Sequence, residues 1–209
     1  MAKFLRTSGR AGVRRYVDAA AKVLISVGVS ANAVTVTGTA VVVGASILLL
    51  AQGHMLAGLV VVALSVLTDM LDGAIARVKG TTSRFGALLD STCDRLADGA
   101  IFAGLAYWLL AEGRGLGCAL ALWVLITSQM VSYVKARAES LGAEINVGIA
   151  ERPERLIIAA VAVLLEGLGV PWALEFGMGL LAVLVSITVV QRLARAHAVL
   201  AASEERVDA

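Results

Sequence analysis

Charged residues are scarce in this chain of 209 residues. They make up 16% of it, against 59% hydrophobic residues, and the mean hydropathy is +0.86. A soluble domain of this length rarely has so little polar surface, so the composition excludes an ordinary water-soluble domain. We expect the lipid bilayer to be the solvent of this protein, and we expect no nucleic-acid partner.

Cysteine is also rare. Cys93 and Cys118 have no paired spacing, so the sequence indicates neither a disulfide framework nor a zinc site. The first 30 residues lack an uninterrupted apolar core followed by a cleavage site. We therefore expect no cleaved signal peptide.

The sequence contains many long apolar stretches. A helix needs about 20 apolar residues to cross the hydrocarbon core of a bilayer. Six candidates cover residues 34–52, 56–78, 86–111, 116–137, 154–168 and 172–194. Before them, Val13, Tyr16 and Leu24 share one helical face while Arg14 and Lys22 take the other. This pattern predicts an amphipathic surface helix, with a disordered basic arm as the alternative.

The predicted fold is thus an all-α integral membrane protein. It has one domain, residues 1–209, in which a juxtamembrane arm and surface helix (1–30) precede six transmembrane helices. Lys and Arg collect in the segments on one side of the membrane, with Arg114 as the exception. The positive-inside rule then places both termini in the cytoplasm. On that side the polar segment 142–151 is either a substrate lid or, as we favour, a connector.

Four aspartates lie at the predicted cytoplasmic ends of two consecutive spans. Asp69 and Asp72 are three residues apart and Asp90 and Asp94 four apart, so each pair occupies one face of its helix. A short loop makes the two helices antiparallel neighbours, which brings the pairs opposite each other. Four facing carboxylates repel unless cations lie between them. The pattern therefore predicts two ions of Mg²⁺ or Mn²⁺ that bridge a substrate diphosphate.

The surrounding residues extend this pattern into a longer motif, Asp69-x2-Asp72-Gly73-x2-Ala76-Arg77-x8-Gly86-x3-Asp90-x3-Asp94. It resembles the complete signature of the CDP-alcohol phosphotransferases. The resemblance implies transfer of a phosphatidyl group from CDP-diacylglycerol to an alcohol, and it suggests a homodimer in the plasma membrane with a cytoplasmic active site. An intramembrane prenyltransferase and a transporter are alternatives from other classes.

The resemblance also implies roles for individual residues. Asp69, Asp72 and Asp90 would hold the metals, and Asp94 would be the general base and an additional metal contact. The CDP group would contact Asn32, Ala33, Val34, Thr35, Gly73, Arg77 and Ser83. Asn32 is also a good helix N-cap, so capping alone can explain its presence. Ala31 stands where family members often have proline, which weakens the expected loop contacts.

A second cluster bears on the acceptor alcohol. Ser132, Lys135 and Arg137 end the fourth span, and Arg152 and Arg155 open the fifth around Pro153. A phosphate on the acceptor explains these cations, whereas positive-inside topology with a Glu151–Arg155 pair is the plainer alternative. The strings 132–139 and 151–156 resemble those of actinobacterial family members that use D-myo-inositol 3-phosphate. These five residues would then bind its phosphate. Glycerol 3-phosphate is the alternative acceptor.

Overall fold

The computed structural model describes residues 30–66 and 83–207, and all regular secondary structure within these ranges is helical. We number the helices α1 to α6: Ala31–Leu48, Met55–Val66, Arg84–Ala111, Gly115–Ser140, Arg152–Gly167 and Ala173–Val207. A short 3-10 helix, Leu50–Gln52, follows α1. The all-α prediction is confirmed, and each helix overlaps a predicted stretch. The expected surface helix and residues 67–78 of the second stretch lie outside the described residues.

Three of the described helical segments are long and apolar enough to cross a membrane: Ala31–Gln52, Gly115–Ser140 and Ala173–Ser203. Helix α2, Met55–Val66, is shorter. Helix α3 has 28 residues, but Asp90, Asp94 and Asp98 interrupt its apolar character. Helix α5 has 16 residues, which corresponds to a rise of about 24 Å against a hydrocarbon core of about 30 Å. The described helices are therefore those of a membrane protein.

The first turn of α1 corrects one interpretation of the sequence. The helix begins at Ala31, and its cap is Ser30, whose Oγ accepts the backbone N–H of Ala33 at 3.2 Å. Asn32 is inside the helix, so its side chain is not the N-cap. At α5 the structure confirms the expectation that Pro153 occupies the first turn. A backbone N–H at that position would have no intrahelical partner, so proline loses no hydrogen bond there.

The described residues group into two compact units. The first unit contains residues 30–45, 60–66 and 83–98, and the second contains 46–59 and 99–207. In the second unit α6 packs against both α4 and α5. Leu105, Val124, Leu174, Leu181 and Val185 are fully buried in its core. Large apolar side chains also lie on its surface, which suits contact with lipid tails.

Residues 141–151, which we call the connector, join α4 to α5. Ala143, Ile145 and Ala150 are fully buried. Ala143 and Ile145 share a small apolar cluster with Ala138 at the end of α4 and Ala196 on α6. Packing of this kind fixes the backbone, so the structure favours a connector over a mobile lid.

Candidate active site

Helix α3 presents two of the four predicted aspartates. Asp90 and Asp94 are one turn apart and lie on the same face of the helix. Asp90 is exposed. The Asp94 side chain is 20% exposed, and its Oδ2 lies 3.6 Å from Nη2 of Arg95. Both carboxylates therefore reach the helix surface, where a cation or a substrate hydroxyl has access to them.

The other half of the motif cannot be placed beside this pair, because Asp69, Asp72, Gly73 and Arg77 lie outside the described residues. Among residues 30–66 and 83–207, no three His, Cys, Asp or Glu side chains form a group suited to a metal ion. The structure places Asp90 and Asp94, and the four-aspartate metal centre as a whole stays a prediction.

The start of α3 brings three predicted residues of the first unit together. Ser83 caps the helix, since the Gly86 N–H donates to its Oγ at 2.9 Å. A Cβ on Gly86 would lie 3.0 Å from Ser83 Oγ and 3.4 Å from Asn32 Oδ1. The motif glycine thus leaves room between two polar side chains that the family resemblance assigns to CDP. A side chain at position 86 would fill that space.

The remaining α1 residues of the expected CDP contact are placed differently. Ala33 is exposed and Val34 half-buried, whereas Thr35 is buried. The Thr35 hydroxyl donates to the carbonyl oxygen of Ala31 in the preceding turn, at 3.1 Å. Thr35 therefore faces the interior. Of the two polar residues in this segment, Asn32 and Thr35, Asn32 is the better placed to meet a ligand.

In the second unit, the predicted acceptor residues gather where α4 ends and α5 begins, a region we call the basic end. Ser132 and Lys135 are one turn apart on α4 and share a face. Lys135 Nζ lies 3.5 Å from Asn146 Oδ1 of the connector and 3.9 Å from Glu139 Oε1. Arg137 points about 200° around the helix from Lys135. It is exposed, and its Nη1 donates to Ser140 Oγ at 3.4 Å.

The two arginines of α5 also differ. Arg152 is the first residue of the helix and is half-buried. Arg155 is 2% exposed, and its Nη1 donates to the Ala150 carbonyl oxygen at 3.4 Å. A buried guanidinium is costly unless it has partners or a ligand. Glu151, which the plainer interpretation pairs with Arg155, forms an ion pair with Arg192 at 3.3 Å.

The structure adds residues that the sequence did not single out. Asp98 lies one turn beyond Asp94 and is 2% exposed. Its spacing of four from Asp94 and its place in an apolar helix were the available signals. Thr188 and Arg192 on α6 are buried against the connector. No local pattern reveals them, because their partners are more than 30 residues away in the chain.

The opposite end of the second unit holds a separate charged cluster, which we call the triad: Arg114, Glu166 and Glu175. Arg114 precedes α4 and forms hydrogen bonds with both carboxylates, including one of 2.5 Å from Nη1 to Glu166 Oε1. Its guanidinium also lies 5.1 Å from the Trp108 ring and 5.7 Å from the Trp172 ring. The hydrogen bonds that the guanidinium donates to Glu175 and then to Glu166 raise the pKa of Arg114 above its usual value.

Comparison with known proteins identifies the family. The family model for CDP-alcohol phosphatidyltransferases matches residues 28–190. A phosphatidylinositol phosphate synthase of Mycobacteroides abscessus is 47% identical over 181 residues, which cover 86% of this chain and 81% of the relative.

Two crystal structures of the Mycobacterium tuberculosis phosphatidylinositol phosphate synthase have the same fold. The complex with manganese and citrate gives a TM-score of 0.83 at 44% identity, covering 86% of this chain and 88% of the other. The complex with CDP-DAG gives 0.82 at 45% identity, covering 87% of this chain and 94% of the other.

Proposed function

This chain belongs to the CDP-alcohol phosphatidyltransferase family, and on that basis we infer that it is a metal-dependent enzyme of phospholipid synthesis. It transfers the phosphatidyl group of CDP-diacylglycerol to D-myo-inositol 3-phosphate, which yields phosphatidylinositol phosphate and CMP. The observation that carries this function is the likeness to phosphatidylinositol phosphate synthases over 86% of the chain. The described acid pair and the basic end supply chemistry that suits it.

A divalent metal centre at Asp69, Asp72 and Asp90, with Asp94 beside it, is part of the proposal. The donor set fits, because Asp90 and Asp94 present two carboxylates on one helix face and hard oxygen ligands suit Mg²⁺ or Mn²⁺. The related mycobacterial enzyme was crystallised with manganese. Two such ions would supply positive charge to the diphosphate of the substrate.

The chain's own residues then account for binding and proton transfer. Asn32, Ser83 and the space above Gly86 accept the CDP group, together with Gly73 and Arg77. Asp94 takes the proton of the acceptor hydroxyl. The freed oxygen forms a bond to the lipid-side phosphorus, and the bond from that phosphorus to the CMP oxygen breaks. CMP leaves with the electron pair of that bond.

The basic end is the proposed acceptor site. Ser132, Lys135, Arg137, Arg152 and Arg155 would bind the phosphate of the inositol phosphate. The described contacts of these cations include neutral oxygens of Asn146, Ser140 and Ala150, and Glu139 Oε1 lies 3.9 Å from Lys135 Nζ. A phosphate dianion offers both the charge and the acceptor oxygens that such a group of cations can bind.

The direct test is an acceptor series. Purified protein in detergent receives CDP-diacylglycerol, Mg²⁺ or Mn²⁺, and one of inositol phosphate, inositol, glycerol 3-phosphate or serine, and CMP release is measured. We expect turnover with inositol phosphate and its loss in EDTA. Turnover with glycerol 3-phosphate alone would replace the assignment by phosphatidylglycerophosphate synthesis. Release of pyrophosphate in place of CMP would contradict the whole reaction class.

A second prediction concerns Asp94. The substitution Asp94→Asn keeps the shape of the side chain but removes its basicity, so turnover should fall by about 1,000-fold or more while CDP-diacylglycerol still binds. Isothermal calorimetry with the CDP-lipid and the CMP assay separate these two effects. Asp90→Asn is the comparison, because Asp90 is proposed as a metal ligand only, and its loss should weaken metal binding more than the loss of the additional contact from Asp94. Substantial turnover by Asp94→Asn would exclude Asp94 as the base.

The membrane arrangement is part of the same proposal. Six spans, a surface helix before them, and cytoplasmic termini and active site follow from the apolar stretches and from the distribution of Lys and Arg. The homodimer rests on the family resemblance. A C-terminal fusion should fluoresce with green fluorescent protein and be inactive with alkaline phosphatase. The opposite pattern would place the C terminus outside.

A further inference from the structure

A groove lies at the triad end of the second unit, between the first two turns of α4 and of α6. Its volume is about 680 Å³, which is within the range of about 300–1,000 Å³ that ligand clefts have. Both helices begin membrane-spanning segments at this end, Gly115–Ser140 and Ala173–Ser203. The groove therefore opens where a spanning helix meets the lipid headgroup region.

The walls of the groove are mainly apolar. Leu116 and Leu120 line it one turn apart on α4. Phe176 and Leu180 line it from α6, also one turn apart, and both are exposed. Gly179 leaves space between the helices, since a Cβ there would meet Leu120 Cδ1 only at 3.9 Å. An apolar groove of this kind suits an acyl chain, which has no hydrogen bonds to satisfy.

Two residues of the triad, Arg114 and Glu175, line the same groove. The stem of Glu175 lies against Gly117, where a Cβ would be 3.0 Å from Glu175 Cγ. The triad joins one guanidinium to two carboxylates, so its net charge is negative. Residues 112–115 and 167–171 contain no Lys or Arg besides Arg114. The polar end of the groove therefore favours a cationic group over an anionic one.

Glu175 has acceptor capacity left for such a group. Each of its carboxylate oxygens accepts one hydrogen bond from Arg114. A carboxylate offers about four lone-pair sites, so Glu175 can also accept an N–H from a second cation. Hydrogen bonds between an ammonium group and a carboxylate are among the stronger ones, because both partners are charged.

Trp172 adds an aromatic ring at the same place. Among residues 30–66 and 83–207 it is the only residue other than glycine with a positive φ, 62°, which is unusual for a bulky side chain. Such a conformation persists only where the surrounding contacts hold it. The ring is exposed and lies 5.7 Å from the guanidinium of Arg114. An exposed indole attracts ammonium groups to its π face.

We propose that this groove binds a membrane lipid with a primary ammonium headgroup, the chemistry of phosphatidylethanolamine. One acyl chain lies along Phe176 and Leu180, and the ammonium group pairs with Glu175 beside the Trp172 ring. An anionic lipid fits less well, because its phosphate would meet a triad of net negative charge. The site is separate from the acid pair and from the basic end, and it does not depend on the reaction inferred above.

Quenching of tryptophan fluorescence by brominated lipids tests the proposal. Trp123→Phe removes the other exposed tryptophan and leaves Trp172 as the main reporter of lipid contact. The full chain with this change is placed in phosphatidylglycerol vesicles that contain an equal minor fraction of brominated phosphatidylethanolamine or brominated phosphatidylglycerol. We expect the brominated phosphatidylethanolamine to quench about threefold more effectively, which is the scale of one ion pair at an accessible site.

Two further substitutions test the two parts of the site. Glu175→Gln removes the charge that pairs with the ammonium group, and Gly179→Leu fills the space for the acyl chain. Each should abolish the preference for phosphatidylethanolamine. Glu112→Gln is the control for charge, because Glu112 is exposed in the same connecting segment and does not line the groove. Gly44→Leu is the control for size, since Gly44 is a helical glycine of α1 with open space around it. Both controls should keep the preference.

Gly179→Leu supplies the test should Glu175→Gln not fold, because leucine favours a helix more than glycine does. Equal quenching by the two brominated lipids would overturn the proposal, and so would an equal loss of the preference in the variants and their controls. A change in the oligomeric state of Gly179→Leu, measured by light scattering in detergent, would show that a second copy of the chain covers the groove, which also overturns it. None of these readouts involves CMP release, so failure of the inferred function shows separately.

Discussion

The cations at the two ends of the second unit have different surroundings. At the triad, one cation lies between two carboxylates and two aromatic rings, and the side chains of Arg114, Glu166 and Glu175 are 17%, 11% and 11% exposed. At the basic end, Lys135 and Arg155 have described contacts of 3.4 to 3.9 Å, and two of the three are with neutral oxygens. The described contacts at the triad join a cation to two carboxylates, which suits a structural role, whereas those at the basic end join cations mainly to neutral oxygens, which suits the binding of an anionic ligand.

The triad also shows where the exception in the distribution of basic residues lies. Arg114 is the one cation in the connecting segments assigned to the outer side. The structure places it between Glu166 and Glu175, so it enters its surroundings as part of a group with net negative charge. The other basic residues collect on the opposite side of the membrane, so one arginine on the outer side does not reverse the bias that sets the proposed orientation.

Among changes at the two ends of the second unit, the largest effect on catalysis should come from Arg155. Arg155→Gln keeps much of the volume and removes the charge, and kcat/KM for inositol phosphate should fall about 100-fold, the scale expected when one partner of a buried charged contact is lost. CDP-diacylglycerol binding should persist, which calorimetry can measure. Arg155→Lys is the matched control: it keeps the charge without the fork and should lose less. An unchanged kcat/KM in Arg155→Gln would remove the distinction between the two ends.

The next largest effect should appear in stability and not in catalysis. Arg114→Met leaves two carboxylates facing each other, and breaking a buried ionic group in this way costs about 3–5 kcal/mol. Chemical unfolding in detergent measures the loss, and turnover per folded molecule should stay within about twofold. A catalytic defect larger than the loss of folded protein would show that the triad takes part in the reaction.

A triple variant sharpens this result. Glu166 also accepts the Leu174 N–H through Oε2 at 3.0 Å, so its amide equivalent keeps a useful acceptor. Arg114→Met, Glu166→Gln and Glu175→Leu together remove every charge of the triad. Apolar replacement of a whole buried ionic group is often neutral or stabilising, so most of the lost stability should return. If it does not, the two tryptophan contacts of Arg114 contribute more than the ion pairs.

The sequence predicts the residues of the basic end, but it does not predict the contacts of the triad. Helix positions and the Asp90–Asp94 face follow from local periodicity, and the acceptor cations follow from local strings. The Arg114 triad joins residues 52 and 61 positions apart, and Thr188 meets Ala150 across 38 positions. Such pairs leave no signal in a single sequence, because helix packing decides them and no local pattern does.

Two residues at the start of α1 compete for the N-cap position. Ser30 and Asn32 are both good N-cap residues, and propensity does not separate them. In the structure Ser30 is the cap, so the helix starts two residues earlier than it would with Asn32 as the cap. Asn32 Oδ1 then lies beside Gly86. An asparagine released from capping is available to a ligand. Capping by Ser30 removes the alternative explanation of Asn32, whose contact with CDP stays a prediction.

The smallest effect should distinguish the two cations of α4. Lys135 shares a face with Ser132 and contacts the connector, whereas Arg137 is exposed on another face beside Ser140. Methionine at either position keeps the apolar stem and removes the charge. Because water screens an exposed charge, Arg137→Met should raise the KM for inositol phosphate about twofold, against about fivefold for Lys135→Met. Higher salt should reduce the Arg137 effect first. A larger effect at Arg137 than at Lys135 would mean that the acceptor phosphate binds on the outer face of α4, away from the connector.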